Sequence, residues 1–399
     1  MKNRFSPLLL LPAIALLLSG CESAPPYEHG ASPHNGPIPL RAKTLPAAVQ
    51  PAPEPTRVLD LKTLSSIEAI IPKLAQKRVV FVGEIHDREE QHDNQLEIIR
   101  RLYAVDHNLA IGMEYFQQPF QRYLDEFLAG TLDEAGMLKK TEYFTRWRVD
   151  YRLLRPMLQF ARQNHIPLVA LNLEREIHHK YVASGLDSLT PEEKARIPAQ
   201  IDRTDTEYRE RLKGVFRTHP DQGIDVDRMV EGQLLWDETM AKNAAKYLKE
   251  HPQQRMVVLV GAGHVAYRSG IPKRLNRRLP METAVVLTGT EFGIDPDLAD
   301  YLLLSESTSL PASGKIGVVL NDSNQGVQIV QFGESSPAAA AGITLDDHIV
   351  AMDGHGVVDM ADVMIALLDK KPGDQVLITV NRSSWFSGDK QLQFKVTLK

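Results

Sequence analysis

The sequence predicts an α/β fold: a mostly parallel sheet flanked by helices over residues 58–305, then a smaller domain of mixed strands and helices over residues 310–399. Apolar runs recur as RVVFVGEIH (78–86), NLAIGMEYF (108–116), IPLVALNLE (166–174), RMVVLVGAGH (255–264) and TAVVLTG (283–289). None alternates apolar with polar residues, which is the pattern of strands covered on both faces. Between them lie good helix formers such as NQLEIIRRLY (94–103) and AKNAAKYLKE (241–250). Strands alternating with helices imply a parallel sheet.

The chain opens with MKNRFSPLLLLPAIALLLSGC, a basic start, an apolar run and small residues before a cysteine. That layout predicts a signal segment over residues 1–20. LLSGC resembles a bacterial lipobox, in which Cys21 carries the lipid. Cys21 is the sole cysteine of 399 residues, so no internal disulfide forms. Glu22, rather than Asp, follows it, which favours the outer membrane, facing the periplasm. Residues 21–57 hold nine prolines and no apolar period, an extended tether whose reach is roughly 100 Å at about 3.1 Å per residue. The net charge of −5 argues against nucleic acid as a partner.

Ligands of open α/β sheets bind beyond the carboxyl ends of the strands. The first run ends in Glu84 and His86, the second in Glu114, the third in Asn172 and the fourth in GAGH with His264. Glu84 and His86 are two residues apart, so an extended chain turns both to one side. His92, Gln95, Ile99 and Leu102 share one helix face, which places His92 at the head of an inward stripe. Asp237 lies beside an apolar stripe with Gln233, Trp236 and Met240, and a carboxylate there requires a partner, which places it near the site. Tyr143, Trp147, Tyr151 and Leu154 fall at helical spacing, with Trp147 and Trp236 packing on the sheet. LTPEEKARI reads as a helix start, with Thr190 as N-cap and Glu193 closing a capping box. Polar groups at strand ends facing a cleft contribute little packing, so losing one is expected to cost on the order of 1 kcal/mol or less.

A Glu–His pair supports general-base chemistry, and two histidines with a glutamate admit a divalent metal. The sequence contains no HExxH, no GxSxG and no CxxCH, so it lacks a zincin helix, a nucleophile elbow and a covalent haem attachment site. His178, His179, Tyr181 and Tyr208 are further side chains able to ligate a bound group, and the sequence does not choose among them.

GEIHD, GMEYF, PLVALN, WDETMA and GAGHVAYRSGIPKRL together resemble the ChaN family of haem-binding lipoproteins, over roughly residues 60–290. That family belongs with the Tiki and erythromycin-esterase-like proteins. The resemblance implies noncovalent haem, held by a polar pocket of Glu84, His86, His92, Glu114, Asn172, Asp237 and His264. In the superfamily's enzymes the residues matching Glu84, His86, Glu114 and His264 hold a metal or activate water. The last domain, with KIGVVL, SSPAAAAGI, DDHIVAMDGHGV, DMADVMIALLDK and KPGDQVLITVNR, resembles a bacterial PDZ domain. Asp346-Asp347 stands where that family usually has Gly-Asp, at a turn. The resemblance implies a C-terminal peptide added as a strand, held by Ile316, Gly317, Val318 and Val319 against a helix wall of Val363 and Leu367.

The expected function is therefore haem binding at the cell envelope for iron acquisition, with a PDZ module for a peptide or envelope protein. A homodimer is compatible with the sequence. The rival readings are a hydrolase using the strand-end residues and an envelope scaffold. Replacing Cys21 by Ser removes the thiol that accepts the lipid. Fractionation of Cys21→Ser is expected to move the protein from membranes to the soluble fraction, and full retention on membranes would refute the anchor.

Overall fold

The structure is a computed structural model describing residues 59–399 apart from 61, 148, 219–224, 290–292 and 384–387. The expected signal segment, Cys21 and the tether lie outside the described residues. The first domain runs α1 (Ile67–Leu74), β1 (Val79–Glu84), α2 (Glu89–Val105), β2 (Leu109–Gln117), α3 (Gln121–Leu128), α4 (Glu134–Lys140), α5 (Tyr143–Arg146), α6 (Tyr151–Gln163) and β3 (Leu168–Asn172). It continues with α7 (Arg175–Ser184), α8 (Pro191–Arg196), α9 (Thr206–Thr218), α10 (Val226–Glu250), β4 (Arg255–Gly261), α11 (Ile271–Arg278), β5 (Thr283–Thr288) and β6 (Tyr301–Leu303). The strand order is β3-β2-β4-β1-β5-β6, and every pair is parallel.

Each of the five apolar runs forms a strand, and the short β6 adds an edge that no apolar run announced. Side chains of one strand alternate between two cores. Val80, Val82, Val257 and Leu259 pack with Ile99 and Leu154 from α2 and α6. Val79, Phe81, Val258 and Val260 pack with Met240 and Leu275 from α10 and α11. Continuous hydrophobicity is thus the signature of a strand with a helix layer on each face. The Thr190–Glu193 capping box forms as expected at α8. The stretch from Tyr143 to Leu154 is not one helix. It breaks at Trp147, whose backbone is extended (φ −122°, ψ 131°), and resumes at Tyr151.

The second domain contains β7 (Val318–Ser323), β8 (Gly326–Phe332), α12 (Pro337–Ala340), β9 (His348–Met352), β10 (His355–Gly356), α13 (Met360–Leu367), β11 (Gln375–Arg382) and β12 (Lys390–Thr397). Its antiparallel order is β12-β11-β9-β8-β7, so β7 is an edge strand. Asp346 has φ +65°, the conformation in which glycine is cheapest, which explains why the departure from Gly-Asp falls at a turn. Buried Asp347 accepts from Thr344 N at 2.8 Å and pairs with Arg382 at 2.7 Å.

The domains meet along α13. Ile365 and Leu368 pack against the first domain's core. Lys139 of α4 reaches Asp362 at 2.6 Å and Asp359 at 3.5 Å. Arg155 of α6 pairs with Glu134 and Asp369, and Arg152 donates to Pro311 O at 2.8 Å. No described helix is long and apolar enough to cross a membrane.

Gly83 of β1 shows how tight the sheet is near its carboxyl end. A Cβ there would stand 2.5 Å from Leu287 Cδ2 and 3.0 Å from the Ala262 Cα. Gly83→Ala is therefore expected to cost about 1–3 kcal/mol through overpacking. Urea unfolding measures it, and an unchanged midpoint would contradict the packing described.

Candidate functional site

Strands β1, β2 and β4 deliver Glu84, Glu114 and Gly261 to the same edge, because all run parallel and in register. Glu84 is buried, and its Oε1 lies 2.6 Å from His86 Nδ1. The Tyr115 hydroxyl donates to the same oxygen at 2.5 Å. Tyr115 lies on the sheet face of Met113, Val80 and Val82, the face to which Glu84 also belongs. A Cβ on Gly261 would sit 3.1 Å from His86 Cε1 and 3.7 Å from Glu114 Oε2, so that glycine leaves room for these two. Glu114 is fixed by Gly261 N, which donates to its Oε2 at 2.8 Å.

His264 completes the cluster from the short turn after β4. Its Nδ1 lies 2.6 Å from Asp237 Oδ1, and its Nε2 lies 3.3 Å from Glu114 Oε1. The Tyr208 hydroxyl, from α9, donates to the other Asp237 oxygen at 2.8 Å, and the Gln233 amide nitrogen lies 2.9 Å from His264 Nδ1. Asp237 is wholly buried on α10, which supplies the partner its position required. Glu84, His86, Glu114, Asp237 and His264 thus share one cluster.

Two further candidates play supporting parts. Asn172 is buried, donates to Glu114 O at 2.9 Å and accepts from Leu173 N at 2.8 Å, so it braces β2 against β3. His92 is buried beneath the loop, with Nε2 3.0 Å from His86 O. His178 is buried and stacked on Trp236 with ring centroids 3.8 Å apart. The residues that sequence reasoning missed are Tyr115 and the placement of Trp147. Trp147 lies 5.7 Å from His86 and 5.0 Å from Tyr115, ring centre to ring centre. Alternation puts Tyr115 on the face of Ile111 and Met113, and the pairing of β2 with β4 and of β4 with β1 brings that face level with Val82 and Glu84, which no strand shows when read alone. Among the described residues, no group of three or more His, Cys, Asp or Glu side chains is disposed to hold a metal ion. The divalent metal that the sequence admits finds no ligand set there.

Burial opposes charge on both imidazoles, yet the carboxylates prevail. Burial lowers the His86 pKa, but Glu84 overrides it and brings the group to about 9. Burial likewise lowers His264, and Glu114 with Asp237 raises it to about 10. Burial raises Glu114, while His264 and His86 bring it down to about 2. Burial also pushes the Tyr115 hydroxyl up, which keeps it a donor. His178, with no carboxylate beside it, is driven down to about 3 by burial and His179. The cluster therefore alternates imidazolium and carboxylate at neutral pH. Burial also corrects the expected low cost of replacement: removing one partner of a buried pair strands the other, at about 3–5 kcal/mol. Only His86, with about a quarter of its side chain exposed, faces solvent.

In the second domain β7 and α13 flank a groove. Gly317 (φ +74°) opens the loop before β7, Val319 is half exposed on the strand, and Val318 and Leu367 are partly buried. Ile316 and Val363 are buried in the domain core, so they form the floor rather than the lip.

The raised histidine pKa values make stability fall as pH rises. The folded state binds more protons than the unfolded one between about 6.5 and the folded values of about 9 and 10. The contribution is complete below pH 6.5 and lost as pH climbs through 9 and 10. Each proton contributes a slope of about 1.4 kcal/mol per pH unit at most. Thermal melts from pH 6 to pH 10.5 are expected to fall steadily, and His264→Gln to flatten the profile. A variant as pH-sensitive as the parent would contradict this assignment.

Residues 70–275 match the family described as haem-binding uptake, Tiki superfamily, ChaN, and residues 314–398 match the PDZ domain. No curated protein matches the chain. Among solved structures, one of cofacial haem binding to ChaN of Campylobacter jejuni is 18% identical, with a TM-score of 0.50, covering 60% of this chain and 91% of that one. The HtrA3 PDZ domain bound to a phage-derived ligand is 22% identical and covers 22% of this chain and 85% of that one, with a TM-score of 0.19. An erythromycin esterase in its open conformation is 14% identical and covers 78% and 84%, with a TM-score of 0.35. The likeness to the Campylobacter protein is one of fold. Since the family match spans more than half of the 399 residues and coincides with the strand-end cluster, the chain belongs to the ChaN haem-binding uptake family of the Tiki superfamily, joined to a C-terminal PDZ domain.

Proposed function

We propose that this protein binds haem noncovalently at His86, as cargo in iron acquisition by a lipid-anchored envelope protein. We assign the PDZ domain the task of holding a partner by its C-terminal peptide. One observation carries the first assignment. His86 is the strand-end imidazole whose second nitrogen, Nε2, has no hydrogen-bond partner among the described residues, and its side chain is about a quarter exposed. An axial histidine needs a free ring nitrogen, with the other oriented by a carboxylate or carbonyl. Glu84 supplies that carboxylate, and Trp147 and Tyr115 supply an aromatic wall. The residues present therefore fit haem. Several other candidates are engaged or covered. His264 is held on both nitrogens, Tyr208 donates to Asp237, and His178 lies beneath Trp236.

Binding at Nε2 requires the neutral ring, so affinity is expected to rise with pH until about 9. An absorbance titration with hemin tests the assignment. His86→Ala is expected to abolish the ligation spectrum, and Glu84→Gln to weaken binding about 10–100-fold. A His86→Ala spectrum identical to that of the parent would refute His86 as ligand.

A second reading rests on the two imidazole–carboxylate arrays, Glu84–His86 and Asp237–His264–Glu114. Imidazoles oriented by carboxylates suit acid–base hydrolysis, and a hydrolase would turn over substrate without hemin. For the PDZ groove, a peptide with an apolar C-terminal residue is expected to bind at micromolar strength, and its amide far more weakly, because PDZ domains hold a terminal carboxylate on backbone N–H groups of the loop that Gly317 occupies here. Equal binding of acid and amide by calorimetry would remove end recognition.

A further inference from the structure

Helix α13 has two faces and two duties. Val363 and Leu367 belong to the PDZ core beside the groove, whereas Ile365 and Leu368 pack into the first domain. Its first turn is clamped from both sides. Asp322, on the groove strand β7, accepts from Met360 N at 2.7 Å and so bridges the groove at the far end from Gly317. Lys139 of α4 grips Asp362 and Asp359 from outside. A peptide adding to β7 must pass between β7 and α13, where the Asp322–Met360 bond now lies. A peptide there displaces that bond and presses α13 toward α4 and α5, on which it is seated.

That movement has a destination. The α5 helix, in contact with α13, ends at Trp147, whose N–H donates to Tyr143 O at 2.8 Å. Trp147 in turn lies against His86 and Tyr115. The route from groove to site is thus α13, then the α4–α5 pair, then Trp147, then His86. Close packing transmits displacement along such a chain, because a filled interior does not absorb it.

We infer that the PDZ groove and the His86 site are thermodynamically coupled through α13, α5 and Trp147, so that peptide in the groove and haem at His86 change each other's affinity. This rests on the haem reading above, and linkage makes the effect reciprocal. Ile365, Leu368 and Lys139 are positioning residues of the coupling, since none touches either ligand's expected place.

The test uses the full chain in detergent solution and a library of peptides with free C-termini displayed on phage. A selected peptide is added at saturation, and the hemin affinity is measured with and without it. The expected ratio is about fivefold or more. Lys139→Ala and Leu368→Ser should bring the ratio toward one while each leaves the affinity for hemin alone near that of the parent. A ratio of one in the parent overturns the coupling, as does failure of the library to yield any groove-binding peptide. If the chain takes no hemin at all, the haem reading fails and the coupling is still decided by fluorescence. In a Trp236→Phe, Trp385→Phe background, peptide should change the Trp147 emission, and Lys139→Ala should remove the change. Emission indifferent to bound peptide overturns the coupling on that readout too.

Discussion

A strand covered by helices on both faces cannot carry an ionised group along its length, because burying an unpaired charge is too costly. β1 and β4 obey this between their first residues and their last, and β2 does so as far as Met113, beyond which Glu114 stands near its carboxyl end. Polarity is therefore displaced to the carboxyl edge, where the chain leaves the sheet and partners from other elements become available. The dense charge at that edge is the counterpart of the apolar interior. Parallel direction and matched register then ensure that what each strand displaces arrives in one place.

Once gathered, the groups must satisfy each other, since water reaches few of them. His264 lies between Glu114 of β2 and Asp237 of α10, so one imidazolium ties the sheet to the longest helix. Gly261 N anchors Glu114, and Asn172 braces the same strand from β3. His86 stands apart because its loop carries it past the edge. It shares the electrostatic environment yet keeps one nitrogen uncommitted among the described residues and some exposure. The cluster thus consists of a buried structural half and a single outward-facing group. That asymmetry separates the groups that hold the cluster together from the one open to solvent.

The PDZ domain solves a different problem with its edge. β7 leaves one side of its backbone unpaired, a standing invitation to another strand, and α13 stands guard beside it. Because α13 is also seated on the first domain, its position answers to both cores. A helix shared in this way cannot move for one domain without disturbing the other.

How much of this was legible in the residues follows from range. The strands could be read because burial on both faces writes itself into consecutive positions, and the polar edge because each strand's last residues are local to it. Glu84 with His86 was legible because two positions in an extended chain share a side. Asp237 was flagged by its unlikely neighbours, though not its partner, His264. The sequence could not announce Tyr115, whose meeting with Glu84 depends on the order and register in which distant strands pair, nor the break at Trp147, whose spacing suits a helix that tertiary packing interrupts. Nor could it reveal that the strand-end carboxylates are sealed from water, because burial depends on α9 and α10 folding over the edge. Local pattern alone determined the order of elements and the direction of their polar ends. Which polar group meets which, which stays open to solvent, and how α13 joins the two domains are decided by contacts between residues far apart in the chain, and only the packed structure brings those together.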